Sequence, residues 1–134
     1  TGVGKQYKFV VHPLEHALSA YKPNIAHGAG IAVMYLGWSE YVFKKEPRKF
    51  AGLARSLFDI SNADDLETAI IGIRAMKDFY VSIGMPTSLR ELGLTEEDVP
   101  HLVSLATGNG TRVIGRYPQP LEEPDVAAIY RLCL

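Results

Sequence analysis

A single cysteine, Cys133, is all the chain offers for covalent cross-linking, so an internal disulfide is excluded and nothing marks an oxidising compartment. Charge of one sign is equally scarce. Lys and Arg number 14 against 15 Asp and Glu, a formal net charge of −1, which argues against an electrostatic grip on nucleic acid or an anionic membrane. Long apolar runs are missing too: the longest, near Ile31 to Leu36, stops at Gly37, well short of the ~20 residues a membrane span requires. No basic-then-apolar leader opens the chain, and the expected location is the cytoplasm. Internal repeats, low-complexity tracts and clean period-two alternation are absent as well. With a sheet disfavoured, 134 residues of which 47% are hydrophobic describe one all-α domain, long enough to bury a core.

What is present reads as a succession of helices. Residues 1 to about 8 carry two glycines and no periodicity, and read as loop. Their Gly-Val-Gly-Lys resembles the tail of a phosphate-binding loop, but the upstream Gly is missing and Gln6 stands where Ser or Thr should hold magnesium. Phe9 to Tyr21 is helical in pattern, with Pro13 either at a first turn or at a kink, since an interior proline costs about 3 kcal/mol. From His27 or Gly28 to Phe43 a second helix is apolar around nearly its whole circumference, which predicts burial. A third, Pro47 to Phe58, aligns Phe50, Leu53, Ala54 and Leu57. Capping oxygens between Ser61 and Asp65 open a fourth. It should point Leu66, Ala69, Ile70, Ile73, Met76, Phe79, Tyr80 and Ile83 inward and stop at Gly84 and Pro86. Ser88 to Leu92 suggests one short turn. Thr95 to Asp98 has capping-box spacing for a helix reaching Ala106 and burying Val99, Leu102, Val103 and Leu105. Pro100 lies too deep there for a regular start. After a loop from Thr107 to Gln119, Glu122-Glu123-Pro124 opens a last helix through Leu132.

Three of the four histidines lie between positions 12 and 27. His12 and His16 are four apart and share a helix face, and His27 follows the Lys22-Pro23-Asn24 break. Two segments meeting there would aim two or three imidazoles at one point, which suits a divalent transition metal. A lone helical histidine is more often a surface or satisfied core residue; the i, i+4 pair backed by a third histidine brings the two readings level. His101, on a remote helix with no partner nearby, reads as surface. Gly28 and Gly30 strip the positive first turn of the second helix of bulk. That either lets a cofactor or substrate approach the backbone or only permits tight helix packing, and spacing does not choose. His12-x-x-Glu15-His16 also fits the inverted zinc-peptidase motif, in which Glu activates water and a downstream carboxylate such as Glu67 or Glu91 completes the metal site. Pro13 tells against it, because that motif needs an unbroken helix. A non-catalytic helical binding module is the third class.

Through His12-x-x-x-His16-Ala17-Leu18-Ser19-Ala20-Tyr21 and His27-Gly28-x-Gly30-Ile31-Ala32 the sequence resembles the iron-containing (group III) alcohol dehydrogenases, in their butanol dehydrogenase-like branch. The likeness continues through Trp38, through Gly84-Met85-Pro86-Thr87-Ser88-Leu89-Arg90-Glu91-Leu92-Gly93 and through Asp125-Val126-x-x-Ile129-Tyr130, and so spans nearly the whole chain. It implies an enzyme with an N-terminal dinucleotide-binding α/β domain and a C-terminal all-helical domain, with residues 1–134 belonging to the latter as a helical bundle. In the cleft between them the family holds a divalent metal, Fe2+ or sometimes Zn2+, on one Asp and three His. By motif position His12 is then the third protein ligand and His27 the fourth. His16 stands beside the nicotinamide ring and handles protons, and Gly28 lies at the cofactor-facing helix start.

The implied activity is interconversion of primary alcohols and aldehydes with NAD(P). The metal serves as Lewis acid toward the alcohol oxygen, hydride passes between the alcohol carbon and the nicotinamide, and His16 relays the proton. The Asp, the first His ligand and the glycine-rich pyrophosphate loop lie upstream in the family, and residues 1 to 11 hold no candidate for them. The chain without that N-terminal partner domain is therefore expected to be inactive. It should expose the faces around His12, His16 and Gly28 and cover them by homo-oligomerisation, as a dimer or larger. Two smaller departures, a Lys22-to-Ala26 linker one residue longer than usual and Leu36 where many members have Pro, are compatible with the pattern.

Overall fold

The computed structural model describes residues 2–60, 64–115 and 120–134, with side chains from residue 10 onward. Six α-helices carry it: α1 Gly2–Tyr21, α2 His27–Val42, α3 Pro47–Phe58, α4 Asp65–Ser82, α5 Val99–Thr107 and α6 Glu123–Cys133. One-turn 3-10 helices lie at Phe43–Lys45, Arg90–Leu92 and Glu96–Asp98. Among the described residues there is no strand, only an antiparallel bridge between Ile114 and Leu121. The fold is all-α, as the periodicity predicts.

Helix α1 begins at Gly2, a correction to the loop expected over the first eight residues. Extending a helix already nucleated by packing costs far less than starting one, and that outweighs the weak propensity of two glycines. The helix also passes through Pro13 without ending. Proline has no N–H for the Phe9 carbonyl, and the packing of Val10, Val11, Leu14 and Leu18, each 0–1% exposed, holds the helix together across that gap.

Helices α1, α2, α6 and α5 pack as a closed ring, each against the next and α5 back onto α1. Inside it lie Leu14, Met34, Trp38, Leu102, Val126, Ile129 and Tyr130, all fully buried. Helix α2 contributes Val33, Met34, Leu36, Trp38 and Val42 to buried positions on several sides, in keeping with its all-round apolar sequence. It gives way at Phe43 to a 3-10 turn, one residue earlier than expected. The α3–α4 hairpin packs outside the ring, α4 on α2 and α3 on α1.

Here the sequence reading of inward faces needs correction. Only Thr68, Ala69 and Gly72 of α4 are buried. Leu66, Ile70, Phe79 and Ile83, expected inside, are 43%, 38%, 48% and 57% exposed, and Leu57 of α3 is 54% exposed. The reason is steric. The two helices approach through small residues: a Cβ on Gly72 would lie 2.3 Å from the Ala54 Cβ, so the large apolar side chains flank the contact instead of filling it. Leu105, also expected inside α5, is exposed.

The caps fall where the sequence places them. Asp64 caps α4 by accepting from the Glu67 N–H at 3.1 Å; Ser61 to Ala63, the rest of that predicted cap, lie outside the described residues. The Thr95–Asp98 box is real but closes on the 3-10 turn Glu96–Asp98. Helix α5 therefore starts at Val99 with Pro100 in its first turn, where a missing N–H is harmless. A second box pairs Glu122 with Asp125 at the start of α6. The loop expected from Thr107 to Gln119 starts one residue later, since Thr107 still belongs to α5; residues 116–119 lie outside the described set.

Candidate functional site

Three ties from distant parts of the chain set the position of α1. The Tyr130 hydroxyl, fully buried on α6, donates to the Leu14 carbonyl at 2.8 Å. At the far end the Tyr21 hydroxyl donates to Asp98 at 2.6 Å, and its ring stacks on His101 with centroids 5.6 Å apart. His101 is exposed as expected, yet it has a partner the sequence did not disclose. The Tyr21 bond and the Thr95 backbone N–H hold the Asp98 carboxyl below its ordinary range. Lys22 Nζ reaches the Gly93 carbonyl at 3.2 Å. The chain then turns through residues 22–26 into α2.

That turn brings the three histidines together. Ring centroids of His12 and His27 are 5.3 Å apart and nearly parallel, His12 and His16 are 5.9 Å apart, and His16 and His27 are 6.2 Å apart. His16 and His27 are exposed and His12 is half-buried. The His12 Nδ1 is buried with no hydrogen-bond partner among the described residues. Beside His16 runs an open groove lined by Pro13, Ala17, Ala20, Leu105, Ala106 and Arg112, and there the exposed Leu105 has its place.

Beneath the imidazoles lies a residue that the sequence offered in a different role. Glu15 is 0% exposed, and its two carboxylate oxygens are divided. Oε1 accepts from the Ser19 hydroxyl at 2.5 Å, while Oε2 lies 2.6 Å from His27 Nδ1. Burying a carboxylate costs several kcal/mol unless it is hydrogen-bonded, and these two partners supply that compensation. A carboxylate committed in this way is not free to activate water, which is the part the peptidase motif would give it. The objection from Pro13 does not hold, since the helix is continuous there, but this stronger one takes its place. Glu91, one candidate third ligand of that reading, accepts instead from the backbone N–H groups of Thr87 and Ser88 at 2.8 and 3.0 Å. Those donors lower its pKa. Glu67 is exposed on α4.

The glycine alternatives separate by position. A Cβ on Gly30 would stand 2.7 Å from Glu15 Cγ and 2.9 Å from its Oε1, so Gly30 is there for packing. Gly28 has nothing within 4 Å of a Cβ; it is exposed on the first turn of α2, whose N-cap Ala26 supplies no side-chain cap.

The donor chemistry suits a divalent transition metal, which imidazole nitrogens bind well. With metal–nitrogen bonds of about 2.0–2.1 Å, two rings sharing an ion have centroids roughly 5 Å apart, the spacing of His12 and His27. The set is nevertheless incomplete. Among the described residues no three His, Cys, Asp or Glu side chains form a group able to hold a metal ion.

Comparison with known proteins decides the family. Residues 2–134 match the model of the Fe-containing alcohol dehydrogenase family, C-terminal part. The chain belongs to the iron-containing alcohol dehydrogenases. It is 32% identical over 131 residues to NADH-dependent butanol dehydrogenase A of Clostridium acetobutylicum, covering 96% of this chain and 33% of that protein. To a 1,3-propanediol dehydrogenase of Klebsiella pneumoniae it is 30% identical over 122 residues, 90% of this chain and 31% of the other. The crystal structure of NADH-dependent butanol dehydrogenase A from Thermotoga maritima superposes with a TM-score of 0.82 at 33% identity, over 92% of this chain and 32% of that one. The helical bundle is thus that of the family's C-terminal domain. This chain spans about a third of the length of the relatives it matches.

The sequence found the histidines because a four-residue spacing is visible in one dimension. It missed Glu15 and Ser19 as a pair supporting His27. The available signal was a carboxylate within an otherwise apolar helical stretch, four residues before a hydroxyl.

Proposed function

We propose that this chain is the helical part of a metal-dependent, NAD(P)-linked alcohol dehydrogenase that interconverts primary alcohols and aldehydes. The observation carrying the reading is the convergence of three imidazoles, from α1 and from the first residue of α2, at 5.3 to 6.2 Å in a chain whose relatives are alcohol dehydrogenases. His12 and His27 are the proposed ligands of Fe2+ or Zn2+. His16, exposed beside the groove, is the proposed neighbour of the nicotinamide and conveys a proton between the reacting oxygen and solvent. Gly28 leaves the start of α2 open to the cofactor. When bound, the ion supplies Lewis acidity toward the substrate oxygen and the nicotinamide supplies the hydride.

The remaining ligands and the nucleotide site belong, in this reading, to a nucleotide-binding domain corresponding to the part of the relatives that this chain does not match. Two imidazoles alone hold a metal weakly. Adding Co2+ to the 134-residue chain should shift and broaden the imidazole resonances of His12 and His27, and His12→Ala or His27→Ala should abolish the response at the other ring. With Fe2+ supplied, the same chain should show no aldehyde-dependent NADH or NADPH oxidation. An unresponsive pair of rings, or turnover by this chain alone, overturns the assignment.

A further inference from the structure

We infer that Glu15 is a positioning residue for His27: its buried carboxylate selects the imidazole tautomer protonated at Nδ1 and so turns the Nε2 lone pair outward, toward the proposed ion. The inference rests on the reading above only for what His27 faces. The tautomer itself follows from this chain's own geometry.

Four observations carry it. Glu15 Oε2 lies 2.6 Å from His27 Nδ1 and not from its other nitrogen. An ionised carboxylate only accepts hydrogen bonds, so the proton of a neutral ring in this pair stays on Nδ1 and the lone pair falls to Nε2. The second carboxylate oxygen is held by Ser19 at 2.5 Å, which fixes the rotation of the group. Gly30, one turn into α2, leaves a hollow that Glu15 Cγ and Oε1 fill, since a Cβ there would approach to 2.7 and 2.9 Å. Finally the burial is lopsided: the Glu15 side chain is 0% and the His27 side chain 54% exposed. The ring is gripped from beneath while its outer edge remains open. A carboxylate behind a ligating histidine raises the ligand's basicity and limits its orientation, and removing one typically weakens metal binding 10- to 100-fold.

Ser19 and Gly30 are thereby placed in the same device, one as a hydrogen-bond donor and the other as an absent side chain. It spans two helices. Glu15 and Ser19 sit one turn apart on α1, and His27 and Gly30 face them from the first turn of α2. The contact that sets the tautomer therefore also sets how the two helix ends meet, and any loosening of α1 against α2 would reach His27.

The test uses the full chain without metal, at about pH 8, above the ordinary histidine pKa of about 6.5. Long-range nitrogen–proton correlation spectra then distinguish the two neutral tautomers ring by ring. In the native chain His27 should be protonated at Nδ1, and Glu15→Leu, close in volume but with no hydrogen-bond acceptor, should return it to a mixture dominated by the Nε2-protonated form. His16 serves as the internal control and should not change, since the Glu15 carboxylate bonds to Ser19 and His27. Titration with Zn2+ should show binding at His27 weakened roughly 10- to 100-fold in Glu15→Leu, and Gly30→Ala, which displaces the carboxylate, should move both readouts the same way. A merely structural Glu15 would alter the melting temperature and leave the tautomer unchanged. A native His27 protonated at Nε2 overturns the inference without any variant, so a Glu15→Leu protein that fails to fold leaves it exposed to refutation. If the tautomer responds as expected but Zn2+ perturbs neither His12 nor His27, the Glu15 assignment stands and the metal assignment fails.

Discussion

Side-chain volume at single positions separates two glycines that look alike in the sequence. Gly28 has open space where a Cβ would go, whereas Gly30 has the Glu15 carboxylate. Gly28→Ala should therefore be neutral or stabilise the fold by up to about 0.5–1 kcal/mol, the usual gain from relieving a helical glycine. Gly30→Ala should cost about 1–3 kcal/mol through overpacking. Urea unfolding midpoints measure both, and equal effects at the two sites would contradict the packing described. The histidines were readable because spacing of four in a helix means a shared face. The fate of Glu15 was not, because its partner His27 lies twelve residues away across a turn, and no local rule brings those two side chains to hydrogen-bonding distance.

Between elements, α2 and α6 approach each other closely at Gly37. A Cβ on Gly37 would come within 2.1 Å of Cys133 Sγ and 3.2 Å of the Ile129 carbonyl. Gly37→Ala should force α6 away and cost about 1–3 kcal/mol. Adding Cys133→Ala removes the first clash but not the second, so the double variant should recover part of the loss, a coupling that a double-mutant cycle reads directly. The Cys133 thiol is buried, and burial pushes its pKa up, so it should stay inert to alkylating reagents in the native state.

The same two helices are tied by Tyr41, whose hydroxyl donates to Asp125 at 2.5 Å. That bond, with a smaller contribution from burial, pushes the Tyr41 pKa up from 10.0 to about 12. A raised folded pKa means the native state keeps its proton where the unfolded chain has lost it. The stabilisation is thus complete below pH 10 and is lost as pH climbs toward about 12. Tyr41→Phe should remove that part of the alkaline stability slope, as measured by urea midpoints across the range.

At the scale of the molecule, exposed apolar surface extends beyond the face to which the sequence pointed. The expectation centred on the His12, His16 and Gly28 face. His16 and Gly28 are exposed and the exposed Leu105 lines the groove beside His16, but a second group of apolar side chains is left to solvent: Leu57, Leu66, Ile70, Ile71, Phe79, Val81 and Ile83 of α3, α4 and the residue after it. Such a surface favours association and dye binding. The chain should self-associate with rising concentration by light scattering, and Phe79→Asp with Ile83→Lys should suppress both that association and the binding of a hydrophobic dye. Persistence of both in the double variant would place the sticky surface elsewhere. No described helix is long and apolar enough to cross a membrane.

The sequence alone determined the helices and most of their ends, because periodicity, proline at a first turn and a capping carboxylate three residues on act within a few neighbours. Asp64 caps α4, and Thr95 pairs with Asp98, as their spacing requires. It also determined that His12 and His16 share a face. Tertiary structure alone decided which side of α4 is buried, that Gly2 to Lys8 join a helix, that His27 meets α1, and that Glu15 turns beneath it. Each of these rests on contacts between residues far apart in the chain, such as Tyr130 with Leu14 or Gly72 with Ala54. There the fit of volumes and the pairing of buried polar groups outweigh any local preference.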